Sequence, residues 1–316
     1  MVTLNDILIA QSRIKNVAHK TPILTSSTFN DLTGLNVFFK SENFQKIGAF
    51  KIRGAYNKIS SLNEKERKVG IITHSSGNHA QGVALSCKIL NTRAYVVMPS
   101  NSTQKKVEAV KSYCAEVIFC GETTDDREKA TQELIDKYGY TFVHPYDDDF
   151  IIAGQGTVAL EIFDELKDLD YIFIPVGGGG LISGCSIVTR SISPNTKVIG
   201  VETEDANDCY QSFKKKELVK LNSTNTIADG MRTLSVGRRN FEIIMKYVDD
   251  IVTVKDDDVI EMMKFFLERM KIVVEPTGAV ASAALLKNVL SLKNKNVCAI
   301  ISGGNVDLKI LNQWIG

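Results

Sequence analysis

The chain has 316 residues, long enough for two intimately packed domains or one large one. Hydrophobic residues make up 44% and charged residues 24%, the balance of an ordinary globular protein rather than a disordered one. A net charge of +1, from 38 Lys and Arg against 37 Asp and Glu, offers no basic field for nucleic acid, and no run reaches the roughly 20 apolar residues of a membrane helix.

The amino terminus holds Asn5 and Asp6 and no basic patch ahead of an apolar core, so no signal or transit peptide is expected. Amphipathic spacing predicts a helix over 5–17 and another over 50–62, with a β-branched strand at 37–40 between them. Strands at 70–74, 94–98 and 117–120 then alternate with helices at 78–90, 104–113 and 124–138. The pattern continues as helix 154–165, strand 171–176, helix 181–190 and strand 198–202. It closes with strand 251–254, helices 256–270 and 277–290, and strand 297–302. Such alternation predicts βα units and a mostly parallel sheet. Near-continuous apolar strands such as YIFIPV and NVCAII fit sheets covered on both faces. The acidic triplet Asp147 to Asp149, just after His144-Pro145, reads as a crossing between domains, and the polar stretch 214–226 as a surface excursion.

Six cysteines, at 87, 114, 120, 185, 209 and 298, form no CxxC pair, and several lie in apolar runs. They read as reduced, mostly buried thiols of a cytosolic protein. The four histidines, His19, His74, His79 and His144, show no metal-ligand spacing.

Three turns at strand ends carry small residues. In ITHSSGNHAQG, 72–82, a strand ends at His74 and a helix begins near Asn78. Open backbone N–H groups at a helix start receive an anion, although Ser and Asn there also suit a plain capped turn. In IPVGGGGLISG, 174–184, four glycines follow a strand and precede a helix. Ile182 breaks the dinucleotide fingerprint and no GK[ST] follows, which leaves a phosphate cup made of backbone N–H groups. AIISGGN, 299–305, is the third. Together they place ligands at the carboxyl ends of parallel strands.

The segment SENFQKIGAFKIRGA, 41–55, resembles the cofactor-lysine motif of the fold-type II pyridoxal-phosphate enzymes. That group holds tryptophan synthase β, the threonine dehydratases and the serine racemases. The SSGNHAQG, GGGG and SGGN turns follow in the family's order, so the resemblance covers essentially the whole chain. It implies an α/β, tryptophan synthase β-like fold of two three-layer αβα domains with mostly parallel sheets. The large domain would span 1–61 and 146–316, with the small domain, 62–145, inserted in it and closing over substrate.

Within the group the chain is most similar to the serine racemases, through Ser76, where threonine dehydratases usually carry Ala, and through VETEDANDCYQS, 201–212. The resemblance implies interconversion of L- and D-serine with elimination of water from serine to pyruvate and ammonia. The alternative is a catabolic L-threonine/L-serine dehydratase without racemase activity. Lys51 would form the Schiff base with pyridoxal 5′-phosphate and shuttle a proton on one face of Cα. Ser76 would serve the opposite face, which requires the site to lower its hydroxyl pKa. Phe50 would pack on the cofactor ring, Asn78 would donate to its phenolic oxygen, and Gly230 would border it. Gly177, Gly178, Gly179 and Gly180 would wrap the phosphate. Ser302 would face the pyridine nitrogen, leaving the ring a milder electron sink than a carboxylate would. Ser75, Ser76, Asn78, His79 and Arg127 would bind substrate. The hydroxyl of Thr233 stands where racemases often have serine.

Glu202, Ala206 and Asp208 match the racemase metal segment, hard oxygen donors suited to Mg²⁺, with Ca²⁺ or Mn²⁺ as alternatives. By the same resemblance Ser26, Ser27, Thr28, Lys46, Ile47, Gln81, Tyr113, Lys271 and Asn305 would form an ATP site between subunits of a homodimer. The amino-acid substrate is then the expected small-molecule partner, with neither nucleic acid nor membrane, in the cytoplasm.

Overall fold

The structure is a computed structural model that describes residues 1–315. In chain order its strands are β1 (Ile23–Thr25), β2 (Asn36–Ser41), β3 (Ile71–His74), β4 (Ala94–Pro99), β5 (Glu116–Cys120), β6 (Thr141–Phe142), β7 (Tyr171–Pro175), β8 (Lys197–Thr203), β9 (Asp250–Val254) and β10 (Asn296–Ile301). They form a six-stranded sheet in the order β1-β2-β10-β7-β8-β9 and a four-stranded sheet in the order β5-β4-β3-β6. Every pairing is parallel except β1 with β2. The α/β class and the parallel sheets expected from the sequence are therefore present.

The alternation of strand side chains divides each sheet's core in two. On the larger sheet Ile172, Ile174, Cys298 and Ile300 face the helices Asp149–Glu165 and Gly180–Ile192. Phe173, Val297, Ala299 and Ile301 face the helices Asp256–Phe265 and Pro276–Leu286. On the smaller sheet Ile71, Val96 and Met98 pack with the helices Lys51–Ser61, Asn78–Ile89 and Gln104–Ser112. Ile72, Tyr95 and Val97 pack with Ala130, Leu134 and Ile135 of the helix Thr124–Tyr138. Helix Lys51–Ser61 packs against both Asn78–Ile89 and Asp149–Glu165, so it stands where the two sheets' cores meet.

Several boundaries differ from the sequence expectation. The helix expected at 154–165 begins at Asp149, because the Asp148 carboxylate caps it, accepting from the N–H groups of Phe150 (2.8 Å) and Ile151 (3.1 Å). The acidic triplet is thus a helix start. The helix expected over 256–270 is α-helical to Phe265, then widens into a π turn, Phe266–Met270, that Lys271 ends at φ 59°. The first helix stops at Ile14, and the helix expected to 290 stops at Leu286. Short elements such as β1, β6 and the helix Ser27–Thr33 were below the length at which periodicity shows. The cysteines are free thiols, with Cys87, Cys185, Cys209 and Cys298 buried, Cys120 intermediate and Cys114 exposed. Among the described residues no helix is long and apolar enough to cross a membrane.

Candidate active site

The three small-residue turns converge on one cleft of about 1180 Å³ at the carboxyl ends of β3, β7 and β10. Lys51, Ser75, Ser76, Asn78, His79, Gly177 to Gly180, Gly230 and Ser302 all line it, with Arg127 and Thr233.

Lys51 opens its helix from a segment zipped to the SGGN turn. Ala49 bridges Gly303, the Phe50 N–H donates to the Ser302 carbonyl (3.2 Å), and the Gly304 N–H donates to the Gly48 carbonyl (2.9 Å). Two consecutive left-handed residues, Ile47 at φ 60° and Gly48 at φ 70°, let the chain reverse here. The Lys51 ammonium donates to the Pro145 carbonyl at 2.9 Å and lies 5.1 Å from the centre of the Phe50 ring. Burial lowers its pKa to about 8, so a neutral amine is accessible near neutral pH.

The start of helix Asn78–Ile89 lines the same cleft. Its N-cap is Gly77, and no side chain caps it, which removes the capping role the sequence allowed Ser76. Ser75 Oγ accepts from the Gly77 N–H at 3.2 Å. Asn78 is clamped: its Nδ2 donates to Glu275 Oε1 (2.7 Å) and its Oδ1 accepts from Asn305 Nδ2 (2.9 Å). The His79 ring is buried against the Val143 carbonyl (3.2 Å) with its pKa pushed down by burial, so a carboxylate would meet this residue through its backbone N–H. Arg127 is no free surface charge. Its Nη2 donates to Thr124 Oγ1 (2.8 Å), and its Nε is buried without a partner.

The glycine cup joins β7 to helix Gly180–Ile192. Gly179 sits at φ 92°, open to glycine at no steric cost. The cup is also held by protein. A Cβ on Gly177 would come within 2.5 Å of the Gly230 carbonyl, and one on Gly178 would enter the Tyr146 ring. The Gly178 carbonyl accepts from Asn240 Nδ2 (2.9 Å) and the Gly237 N–H (3.1 Å). The Gly230 N–H donates to Thr277 Oγ1 (3.0 Å). Ser302, only 1% exposed, has a buried hydroxyl with no hydrogen-bond partner, an orphan that a ring nitrogen would satisfy.

Sequence reasoning missed Glu275, Tyr146 and Thr277. Glu275 is buried, and burial raises its carboxyl to about 8. A carboxylate inside the apolar run IVVEPTGA was the available signal. Tyr146 packs edge-on to His144 at 4.7 Å, and burial pushes its phenol up to about 12.

Glu202 and Asp208 are both fully buried, at the end of β8 and the start of helix Asp208–Lys215, and Ala206 lies buried in the turn between them. Glu202 accepts from the N–H groups of Cys209 (3.1 Å) and Tyr210 (2.7 Å), whereas both Asp208 oxygens lack partners. Burial, then the Asp208 charge, holds Glu202 well above the usual carboxylate range, and burial raises Asp208 to about 7. Two adjacent buried acids, with both Asp208 oxygens orphaned, fit a cation. Among the described residues no cluster of three or more Asp, Glu, His or Cys accompanies them.

Of the residues assigned to a nucleotide, Gln81 and Asn305 line the cleft, and Asn305 Nδ2 also donates to the Ile47 carbonyl (2.6 Å). Ser26, Ser27, Thr28, Lys46, Ile47, Tyr113 and Lys271 lie outside the cleft lining. Ser26 Oγ caps the helix Ser27–Thr33, and Lys271 Nζ donates to the Glu268 carbonyl (2.5 Å).

Residues 14–303 match the family model described as pyridoxal-phosphate dependent enzyme. The chain is 50% identical to a serine racemase of Schizosaccharomyces pombe over 97% of its own length and 95% of that protein's. It is 47% identical to an L-threo-3-hydroxyaspartate ammonia-lyase of Saccharomyces cerevisiae, covering 97% of this chain and 94% of the relative. The crystal structure of serine racemase from Dictyostelium discoideum superposes with a TM-score of 0.92 at 45% identity, over 97% of this chain and 99% of that one.

Proposed function

The chain belongs to the pyridoxal-phosphate dependent enzyme family, and we propose that it interconverts L- and D-serine and also eliminates water from serine to give pyruvate and ammonia. Full-length similarity to serine racemases and to an ammonia-lyase supports both activities. The observation that carries the reading is that Lys51 and Ser76 open onto one cleft while Ser76 is free of capping duty.

Pyridoxal phosphate, when bound, supplies an electron sink at the substrate α-carbon. Lys51 would hold the cofactor, and its amine, once free of it, would take or return the α-proton on one face. Ser76 holds the proton of the opposite face. Gly177 to Gly180 would cradle the phosphate, Phe50 and Gly230 would flank the ring, Asn78 would donate to the phenolic oxygen, and Ser302 would meet the ring nitrogen. The start of helix Asn78–Ile89 and Arg127 orient the substrate carboxylate. Closure of the unit 62–145 on the remainder excludes water.

Glu202, Ala206 and Asp208 would hold Mg²⁺, which would steady the end of β8 without touching the chemistry. ATP binding near Asn305, a homodimer and a cytoplasmic setting complete the reading, the last supported by six free thiols.

The test feeds L-serine and, in parallel, L-threonine to the purified protein with pyridoxal phosphate and Mg²⁺, and follows D-serine and keto acid together. D-serine beside pyruvate is expected. Keto acid without D-serine would reduce the protein to a dehydratase.

A further inference from the structure

Helix Asp149–Glu165 lies against both helices that bring the cofactor-facing groups into the cleft. On one side it crosses helix Lys51–Ser61 backbone to backbone. A Cβ on Gly154 would come within 2.5 Å of Gly54 Cα, and the Gly54 N–H donates to Gln155 Oε1 at 3.2 Å. On the other side it crosses helix Gly180–Ile192 as closely. A Cβ on Gly156 would come within 2.9 Å of the Gly184 carbonyl, and one on Gly184 within 2.5 Å of the Gly156 nitrogen. Lys51 begins the first of these partners and the glycine cup begins the second.

Close crossings alone let helices rotate or slide, but a buried charge cluster blocks that at the Lys51 side. Arg53, two residues after Lys51 and fully buried, gives Nη1 to Glu161 Oε1 (2.7 Å) and Thr157 Oγ1 (3.2 Å), both on helix Asp149–Glu165. Its Nε and Nη2 reach Glu42 at 2.8 Å each, just beyond β2. Lys40, also buried, donates to Glu161 Oε2 at 2.6 Å. The four side chains are balanced in charge, and planar bidentate pairing fixes orientation as well as distance.

We propose that helix Asp149–Glu165 is a spacer that sets the separation between Lys51 and the phosphate cup, and that Arg53, Thr157 and Glu161 are positioning residues for the cofactor. A ligand anchored at both ends binds only when its two anchors stand at the right span, so an error there costs affinity and geometry rather than fold. The inference rests on the reading that Lys51 carries the cofactor.

The test compares Glu161→Gln and Thr157→Val with Val259→Ala, a buried change on a helix that touches neither anchor. Cofactor-free protein is prepared from each. Its melting temperature, its affinity for pyridoxal phosphate by visible absorbance, and the circular dichroism of that band are recorded. Borohydride trapping and peptide mapping of the unaltered protein come first; a label elsewhere than Lys51 overturns the underlying reading and the spacer with it. With Lys51 labelled, Glu161→Gln is expected to weaken cofactor binding at least tenfold and to flatten the dichroic band. Thr157→Val is expected to do so about threefold. Val259→Ala should lower the melting temperature and leave both cofactor readouts unchanged. Should Glu161→Gln fail to fold, Thr157→Val decides. Cofactor affinity within twofold of the unaltered protein, in whichever variant folds, sinks the spacer and leaves the cluster a purely structural one.

Discussion

Two clusters of buried charge in this molecule behave in opposite ways. Lys40, Glu42, Arg53 and Glu161 form a closed set: the charges cancel, and every oxygen of the two carboxylates meets a donor. Glu202 and Asp208 form an open set: both are acids with no cation beside them among the described residues, and the Asp208 oxygens meet nothing. Lys40, Glu42, Arg53, Glu202 and Asp208 are fully buried, and Glu161 is largely so. The difference teaches where to look for ligands, because a desolvated polar group left unpaired costs free energy that folding alone has no reason to accept. By that measure the larger sheet holds a finished joint near Lys51 and unfinished sites at Asp208 and Ser302.

The sharpest way to break the contrast is to open the closed set. Glu42→Ala leaves the Arg53 guanidinium buried beside one carboxylate instead of two, and removal of one partner of a buried pair costs about 3–5 kcal/mol. Urea unfolding of the cofactor-free protein should show that loss. A loss under about 1 kcal/mol would mean that the cluster contributes little.

The next largest effect concerns catalysis. Ser76→Ala should lower D-serine formation by about 10²-fold or more, the usual worth of a placed acid–base group, while pyruvate formation changes by a few-fold. Equal loss of both products would remove Ser76 from the opposite face. In the unaltered protein prepared without cofactor, the rate at which pyridoxal phosphate develops its visible band should rise as pH rises towards about 8, where the Lys51 amine loses its proton, and level above it.

Much of this site was legible in the sequence because its chemistry sits in contiguous turns. The SSGN, GGGG and SGGN runs carry the cleft, and the family motif points to Lys51 within a few residues of sequence. What stayed hidden is assembled over distance. Arg53 and Glu161 are 108 residues apart, and each reads as an ordinary helix charge until the fold buries it. Asn78 and Glu275 are 197 apart. The strand order that places β10 between β2 and β7 leaves no mark in periodicity, which reports faces and not neighbours. The three-residue β1 is too short to alternate visibly.

The open carboxylate pair gives a smaller effect with a definite sign. Asp208 has its folded pKa raised to about 7. Without a cation, its contribution to stability is therefore full below the unfolded carboxylate range, near pH 4, and is lost as pH rises through about 7. Mg²⁺ bound there restores what is lost. Saturating Mg²⁺ should raise the melting temperature by about 5 °C at pH 8 and much less at pH 5. Asp208→Asn should abolish the response. A shift of equal size at both pH values would place the cation elsewhere.

The smallest effect is the most discriminating. Ser302 Oγ is buried and unpartnered, so Ser302→Ala removes a hydroxyl that does nothing for the cofactor-free fold. The variant without cofactor should melt at the same temperature or slightly higher, since an unsatisfied buried polar group is itself a cost. With pyridoxal phosphate the sign reverses: one hydrogen bond is missing, worth about 1 kcal/mol, or roughly fivefold in affinity. Glu42→Ala, by contrast, should already weaken the cofactor-free state. A Ser302→Ala protein that loses stability without cofactor and keeps its affinity would place Ser302 in the closed class, as a packing residue just beyond β10, and would remove it from the proposed place at the ring nitrogen.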